Sequence, residues 1–339
     1  MGLSFGLRVP TVGTPQDTAE YAGRVENAGF DFLWMPDTPL LAGRWRDVYS
    51  HLTCAALASK TVRLGPGVTN PLTRHPVTTA SAILTLDEVS AGRADLVVGT
   101  GYSSAYIIGR KAATLATMRQ ATALWRSIFQ GQQTELGGLE IALTPPRPRL
   151  PIYLAATGPK MLEMAGEIAD GVLIHVGAAP GAVAWAIERI DAGVQRAGRQ
   201  RQDVRRILVV QAMVDDNKAR AIDHMRPCAA SAYRHGHTRE LVRLAGLPEP
   251  PMYTGAYPRP YPDLSHAVDW EEAKRVSGFV SDEVVEAMIC LGSGAEIADR
   301  VQELEALGVD AIWWRDEASY TRPDALLRGL EKDVFPRLR

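Results

Sequence analysis

The chain has 339 residues, 46% of them hydrophobic and 22% charged, with a formal net charge of −2. That length suits one large α/β barrel or two ordinary domains, with enough apolar residues for a sizeable core. The near-neutral balance, with Lys and Arg clustered only in short pairs, excludes a nucleic-acid binder that works through its overall field. The Arg-rich run at 199–206 reads as a solvated helix end or loop. Cys54, Cys228 and Cys290 are far apart and odd in number, and match no metal spacing. They are expected to be small buried hydrophobes in a reduced cytoplasm. The start, MGLSFGLRVP, lacks the basic and long apolar regions of a secretion signal. The most apolar later run, 171–187, is cut by Gly177 and Pro180 and is too broken for a membrane span.

Along the chain, short apolar runs alternate with amphipathic ones. Residues 3–10 read as a strand, and 17–28 carry a helical period that stops at Gly29. A second strand is predicted at 30–37, a helix at 48–59 and a third strand at 62–70. Pro76 opens the next helix at the position where a missing N–H costs nothing, and Gly92 ends it. A fourth strand at 94–101 precedes a helix at 115–129. The Gly- and Pro-rich connection 131–150 resembles a linker, but PIYLAAT at 151–157 resumes the strand pattern at once. Helix 160–169, strand 172–176, helix 183–197, strand 206–214 and helix 218–230 follow. Ser293 and Glu296 form a capping box before a stripe of Ile297, Val301, Leu304 and Leu307, and 310–314 is the last strand.

About eight strands separated by helices predict a single (β/α)8 TIM barrel. The alternative, a doubly wound sheet, would want a GxGxxG turn after the first strand, and RVPTVGTPQD is not one. Residues 232–280 break the rhythm with Pro248, Pro250, Pro251, Pro258, Pro260 and Pro262 among Tyr253, Tyr257, Tyr261 and Trp270. The segment is too long for an ordinary loop. As an insertion after strand seven of one barrel domain, it would sit at the C-terminal face and cover a substrate. A dimer contact or an idle surface loop is the alternative.

Chemistry-bearing patterns gather at the predicted strand ends. Gly65 and Gly67 flank Pro66 inside strand three, where glycines mark a bulge, a close backbone approach to a ligand, or barrel curvature. Thr69 and Asn70 would then face the site mouth. Gly99-Thr100-Gly101 ends strand four, and small residues there let a planar ring pass close to backbone. Ala156-Thr157-Gly158 lies between strand five and its helix, whose N-terminus offers N–H groups to a phosphate. His75 reads as a cap or packed residue, His51 as a helix residue, and His175 as a strand-six residue that touches cofactor if it points inward. No His, Cys and carboxylate set has metal-ligand spacing, and no GxSxG turn appears.

GPGVTNPLTRHP at 65–76, ASAILTLDEVSAGR, VVGTG and AATGPKMLEMAGEIADGVL at 155–173 resemble the luciferase-like hydride-transfer family. Within it they are most similar to methylene-tetrahydromethanopterin reductases and related F420-dependent enzymes. The resemblance runs over 3–187 and 281–314 and is weak in the insertion. It implies an oxidoreductase that passes a hydride between coenzyme F420 and an organic C=C, C=N or C=O, and it implies a homodimer. It also implies a cis peptide at Gly67–Val68 behind the ring. By this resemblance Gly67, Val68, Thr69, Asn70, Thr100, Gly101, Ala156, Thr157, Gly158 and His175 hold the cofactor. Three positions depart from the family. Asp37 is followed by Thr38 where Asp-His is frequent, Tyr102 stands where one branch has Glu, and Arg8 stands where the methanopterin reductases have Glu. Asp37 and Tyr102 are therefore the candidate acids, Asp37 is also a candidate hydrogen-bond partner of the ring, and Arg8 is a candidate charge stabiliser. FMN with monooxygenase chemistry, and a flavin-binding barrel without catalysis, are the alternatives.

Overall fold

The computed structural model describes residues 2–141, 150–231, 236–247, 264–317 and 319–339. Its strands are β1 (Ser4–Arg8), β2 (Phe32–Met35), β3 (Arg63–Pro66), β4 (Leu96–Val98), β5 (Thr134–Leu136), β6 (Leu139–Ile141), β7 (Ile152–Ala156), β8 (Gly171–Ile174), β9 (Arg205–Val214), β10 (Cys290–Gly292) and β11 (Ala311–Arg315). One parallel sheet runs in the order β3-β2-β1-β11-β9-β8-β7-β4. Parallel bridges Leu64↔Ala94 and Thr69↔Val98 close β3 onto β4. The predicted (β/α)8 TIM barrel is thus the fold, with each predicted strand in place and its ends moved by a few residues.

Alternation along the strands decides which side chains fill the barrel. Phe32, Trp34, Val97, Tyr153, Leu173, Ile207, Val209, Ala311 and Trp313 form one buried interior cluster. Their intervening neighbours, such as Leu33, Ile312 and Trp314, pack outward under the helices. The aromatics nest closely, with Phe32 and Trp34 ring centres 4.5 Å apart and Trp34 and Trp313 5.8 Å apart. Gly6 makes room for this packing, since a Cβ there would lie 2.0 Å from the Phe32 ring. Fully burying one such side chain contributes roughly 1.5–3 kcal/mol, so the interior is a packed plug and not a pore. Trp34 Nε1 donates to Asp95 Oδ2 at 3.1 Å, and Arg63 pairs with the same buried carboxylate.

Three features depart from the sequence expectations. The connection 131–150 contains an antiparallel hairpin, β5–β6, whose two-residue turn Gly137-Gly138 has φ of +60° and +81°. Both angles lie where glycine alone is unstrained, as a tight hairpin turn requires. A short helix, Tyr102–Ile107, follows β4 directly. β10 adds to the upper end of β9, with Leu291 opposite Met213. Of the insertion at 232–280, helices Gly236–Leu244 and Trp270–Val276 are described, and Trp270 Nε1 donates to the His224 carbonyl at 3.1 Å. Its Pro- and Tyr-rich centre lies outside the described residues.

Candidate active site

At the C-terminal ends of the barrel strands lies a cavity of about 560 Å³. Trp313, Val209 and Leu173 form its floor, continuous with the aromatic plug below. This is the end of a (β/α)8 barrel where loops, and not strand pairing, dictate which residues stand together.

One wall is made largely of backbone. The Gly67–Val68 peptide is cis, in agreement with the sequence expectation, and both residues line the cavity. A Cβ on Gly67 would lie 2.7 Å from Trp34 Cβ, and one on Gly99 would lie 2.8 Å from Val68 Cγ2. Gly101 sits at φ +77°, and a Cβ there would fall 2.7 Å from Asn70 Cβ. The requirement for glycine is therefore set by the chain's own packing, and the result is a surface of peptide planes and small side chains. Such a surface fits a flat, fused ring pressed against it. Further round the wall, Ala156, Thr157 and Gly158 lead into helix Pro159–Ile168, whose N-cap Gly158 has no side-chain hydrogen bond. With open space around the Gly158 position, that helix end can receive an anion. His175 stands one residue past β8, exposed on the same wall, and its N–H donates to the Ala156 carbonyl at 3.0 Å. These features fit a flavin-type group with a phosphate-bearing tail.

Three of the sequence candidates lie elsewhere. Asp37, Thr69 and Asn70 are buried and not among the wall residues. Thr69 Oγ1 donates to Asp37 Oδ2 at 2.8 Å, and Arg74 Nε lies 3.5 Å from the same oxygen. Burial pushes the Asp37 carboxyl above its usual range, against the pull of Arg74 and Thr69. Asn70 Oδ1 accepts from the Leu72 and Thr73 N–H groups, while its Nδ2 donates to Ser104 Oγ, each at 2.9 Å. It thereby ties the segment after β3 to the short helix after β4. Strand-end alternation gives the wall Thr38 in place of Asp37. Tyr102 does line the cavity, with 42% of its surface exposed. His75 caps its helix, accepting from Val77 N–H at 3.3 Å, and His51 is buried against Thr18 Oγ1 at 2.7 Å.

The opposite wall was only partly visible in the sequence. Arg8 is there, buried, with its guanidinium 5.4 Å above the Trp45 ring. Beside it stand Arg315 and Gln211, neither singled out from sequence. Gln211 Nε2, Trp313 Nε1 and Arg315 Nε are buried donors without a hydrogen-bond partner among the described residues. Asp316 follows Arg315 and is buried, and its carboxyl is pushed up to about 7 by burial and by Glu317, against Arg8 and Arg315. The signal that could have found Arg315 and Asp316 is the run WWRDE, where charge follows directly on the end of the last barrel strand. Among the described residues no group of His, Cys, Asp and Glu could hold a metal ion. Nor is any described helix long and apolar enough to cross a membrane.

Comparison with known proteins agrees with this geometry. The luciferase-like monooxygenase family profile matches residues 4–311. The 5,10-methylenetetrahydromethanopterin reductase of Archaeoglobus fulgidus is 31% identical over 350 residues, spanning 99% of this chain and 100% of its own. The F420-dependent glucose-6-phosphate dehydrogenase of Amycolatopsis mediterranei is 29% identical over 261 residues, spanning 68% of this chain and 77% of its own. Among solved structures, the coenzyme F420 dependent tetrahydromethanopterin reductase from Methanopyrus kandleri superposes with a TM-score of 0.79 at 23% identity, covering 100% of both chains. At that identity the superposition speaks for the fold.

Proposed function

We propose, from the premise that this chain belongs to the luciferase-like monooxygenase family, that it is a coenzyme F420-dependent oxidoreductase acting on an organic C=C, C=N or C=O. The observation that carries this reading is the backbone-lined wall at Gly67, Val68, Gly99 and Gly101, flat enough to seat a fused ring. The family and the F420 dependence of the Amycolatopsis relative support it. When bound, the reduced deazaflavin supplies a hydride.

The chain's own residues do the rest. Gly67, Val68, Thr100 and Gly101 back the ring, and Ala156, Thr157, Gly158 and His175 hold its tail side. Thr69 and Asn70 shape that wall from behind, through Asp37 and Ser104 respectively. Tyr102 holds the proton that the reduced substrate takes up, because it is the sequence candidate whose hydroxyl-bearing ring stands on the cavity. Asp37 acts as a positioning residue, fixing Thr69 and Arg74. Arg8 faces negative charge developing on the substrate. The described parts of the insertion, 236–247 and 264–280, border the substrate side, a reading supported by Leu241, Ser265 and His266 on the cavity wall. Arg8 in place of the reductases' strand-one carboxylate separates this chain from the methanopterin reaction. The enzyme works as a cytoplasmic homodimer, without nucleic acid or membrane.

The test is an anaerobic screen of ketones, imines and activated alkenes against enzyme and reduced F420. Acceptor-dependent oxidation of F420 is expected. Turnover only with FMN and oxygen, or tight F420 binding with no turnover on any acceptor class, would contradict the proposal.

A further inference from the structure

Helix Lys218–Ser231 carries Pro227 in its interior. Proline has no N–H, so residue 227 cannot bond the Asp223 carbonyl as the helix ladder would have it. That turn is also held from outside. Trp270 Nε1, on helix Trp270–Val276, donates to the His224 carbonyl at 3.1 Å, and the two rings lie 5.9 Å apart. Lys274 of the same helix pairs with Asp223 at 2.8 Å. From the other side, His224 Nε2 meets Glu317 Oε1 at 2.9 Å, just past the end of β11.

The same turn borders the cavity. Cys228 and Ala229, about one turn on from His224, line its wall. Ser265 and His266, which lead toward helix Trp270–Val276, line it too. They are tied to the chain that follows Glu317: Ser319 Oγ donates to the Ser265 carbonyl at 3.0 Å and Tyr320 Oη to the His266 carbonyl at 2.7 Å. Strand end, helix and insertion thus share one junction. Among these contacts, only His224 with Glu317 contains a group that titrates near neutral pH.

The charges around His224 favour its protonated form. Its hydrogen bond to Glu317 raises it above the ordinary imidazole range, against burial, with Glu271 adding to the rise and Lys274 opposing it. Burial alone would raise Glu317, but its hydrogen bond to His224 prevails and draws it below the usual range. Asp215, just past β9, is a further carboxylate within the field of His224. Asp316, beside Glu317 in the chain, gains its own charge near about 7. An opened contact would return His224 to about 6.5 and Glu317 to about 4.3. The contact is therefore tightest between those two values. It weakens as pH rises through the raised range of His224.

We propose that His224 and Glu317 form a proton-controlled clasp that holds residues 264–276 against the barrel and so shapes the substrate half of the cavity. The inference goes beyond the hydride-transfer reading and holds for whichever ring the glycine wall seats. With His224 charged, helix Trp270–Val276 and the segment carrying Ser265 and His266 stay docked. With His224 neutral, the hydrogen bond remains but the charge pair is lost, and the junction opens more often. The two side chains are 32% and 27% exposed, which sets the scale of that change at about fivefold at most.

The test is hydrogen exchange of the full-length, cofactor-free protein at about pH 6 and about pH 8.5, with rates corrected for the intrinsic effect of pH. Protection of helix Trp270–Val276 should fall about threefold to fivefold across that range. Helix Gly294–Ala306, remote from the clasp, should stay constant. His224→Gln can keep a hydrogen bond but not a charge, and Glu317→Gln leaves His224 without this counter-charge. Each should remove the pH dependence. A second readout is the ring titration of His224 by NMR, its signal identified by its loss in His224→Gln. The midpoint should lie above about 6.5 and return toward that value in Glu317→Gln. Protection that does not change with pH in the parent overturns the proposal. So does the same fall in His224→Gln, an equal fall in both helices, or a His224 midpoint at or below about 6.5.

Discussion

A carboxyl that must share a dry pocket with two arginines has its protonation tied to folding. In the folded protein Asp316 is pushed up to about 7, far above the carboxylate of an unfolded chain near about 3.9. The folded state thus holds the proton more tightly than the unfolded one. This contribution to stability is complete below roughly pH 4 and is lost as pH rises toward 7, at up to about 1.4 kcal/mol per pH unit. Asp316→Asn stays neutral throughout, so its stability relative to the parent should rise between pH 5 and pH 8; urea melts at several pH values check this. A flat difference would show that Asp316 is ionised across the range. For Tyr102, removal of the hydroxyl should depress single-turnover oxidation of reduced F420 by roughly 10²–10⁴-fold with little change in F420 affinity. Asp37→Asn should mainly cost stability and cofactor affinity, since its partners are Thr69 and Arg74 and it does not line the cavity. At this scale the sequence was a partial guide. Glycines and small residues at strand ends pointed to one wall because their spacing is itself a packing demand. Arg315 and Asp316 went unseen because a charged strand end looks the same whether it faces a cavity or water, and Gln211 because a lone amide in an apolar strand carries no pattern.

Helices and turns were more legible, since their signals are local. The Ser293–Glu296 capping box forms as read, with Glu296 Oε2 accepting from Ser293 N–H at 2.8 Å. Ser293→Ala should cost about 1 kcal/mol, measurable as a shift in the urea midpoint. The turn Gly101 is a sharper case. Alanine there would carry a left-handed backbone worth roughly 1–3 kcal/mol of strain and a Cβ pressed on Asn70. Gly101→Ala should therefore lower both melting temperature and F420 affinity, whereas Gly109→Ala, equally left-handed but with open space around it, should lower melting temperature alone. The hairpin β5–β6 was readable from its Gly-Gly pair and was masked by the prolines that follow. Helix Tyr102–Ile107 was not readable, being a single short element with no side-chain cap.

At the scale of the molecule, the repeat of strand and helix carried the barrel, because a parallel strand buried on both faces leaves an apolar run that few other folds need. What the repeat does not encode is assembly. The outward residues of helix Pro76–Val89 include Thr78, Ser81, Thr85 and Glu88, while its apolar residues are spent on the barrel. The proposed homodimer therefore needs small polar contacts there or another surface. Sedimentation equilibrium should return twice the monomer mass at micromolar concentration, and a monomer across the series would reject it.

The most direct measurement is parallel equilibrium titration of the cofactor-free protein with F420 and FMN, comparing the parent with Gly101→Ala. Tighter binding of F420 than of FMN, weakened by about tenfold or more in the variant, is the expected result. Preferential binding of FMN, or F420 binding indifferent to Gly101, would contradict the assignment of the glycine wall as a deazaflavin seat.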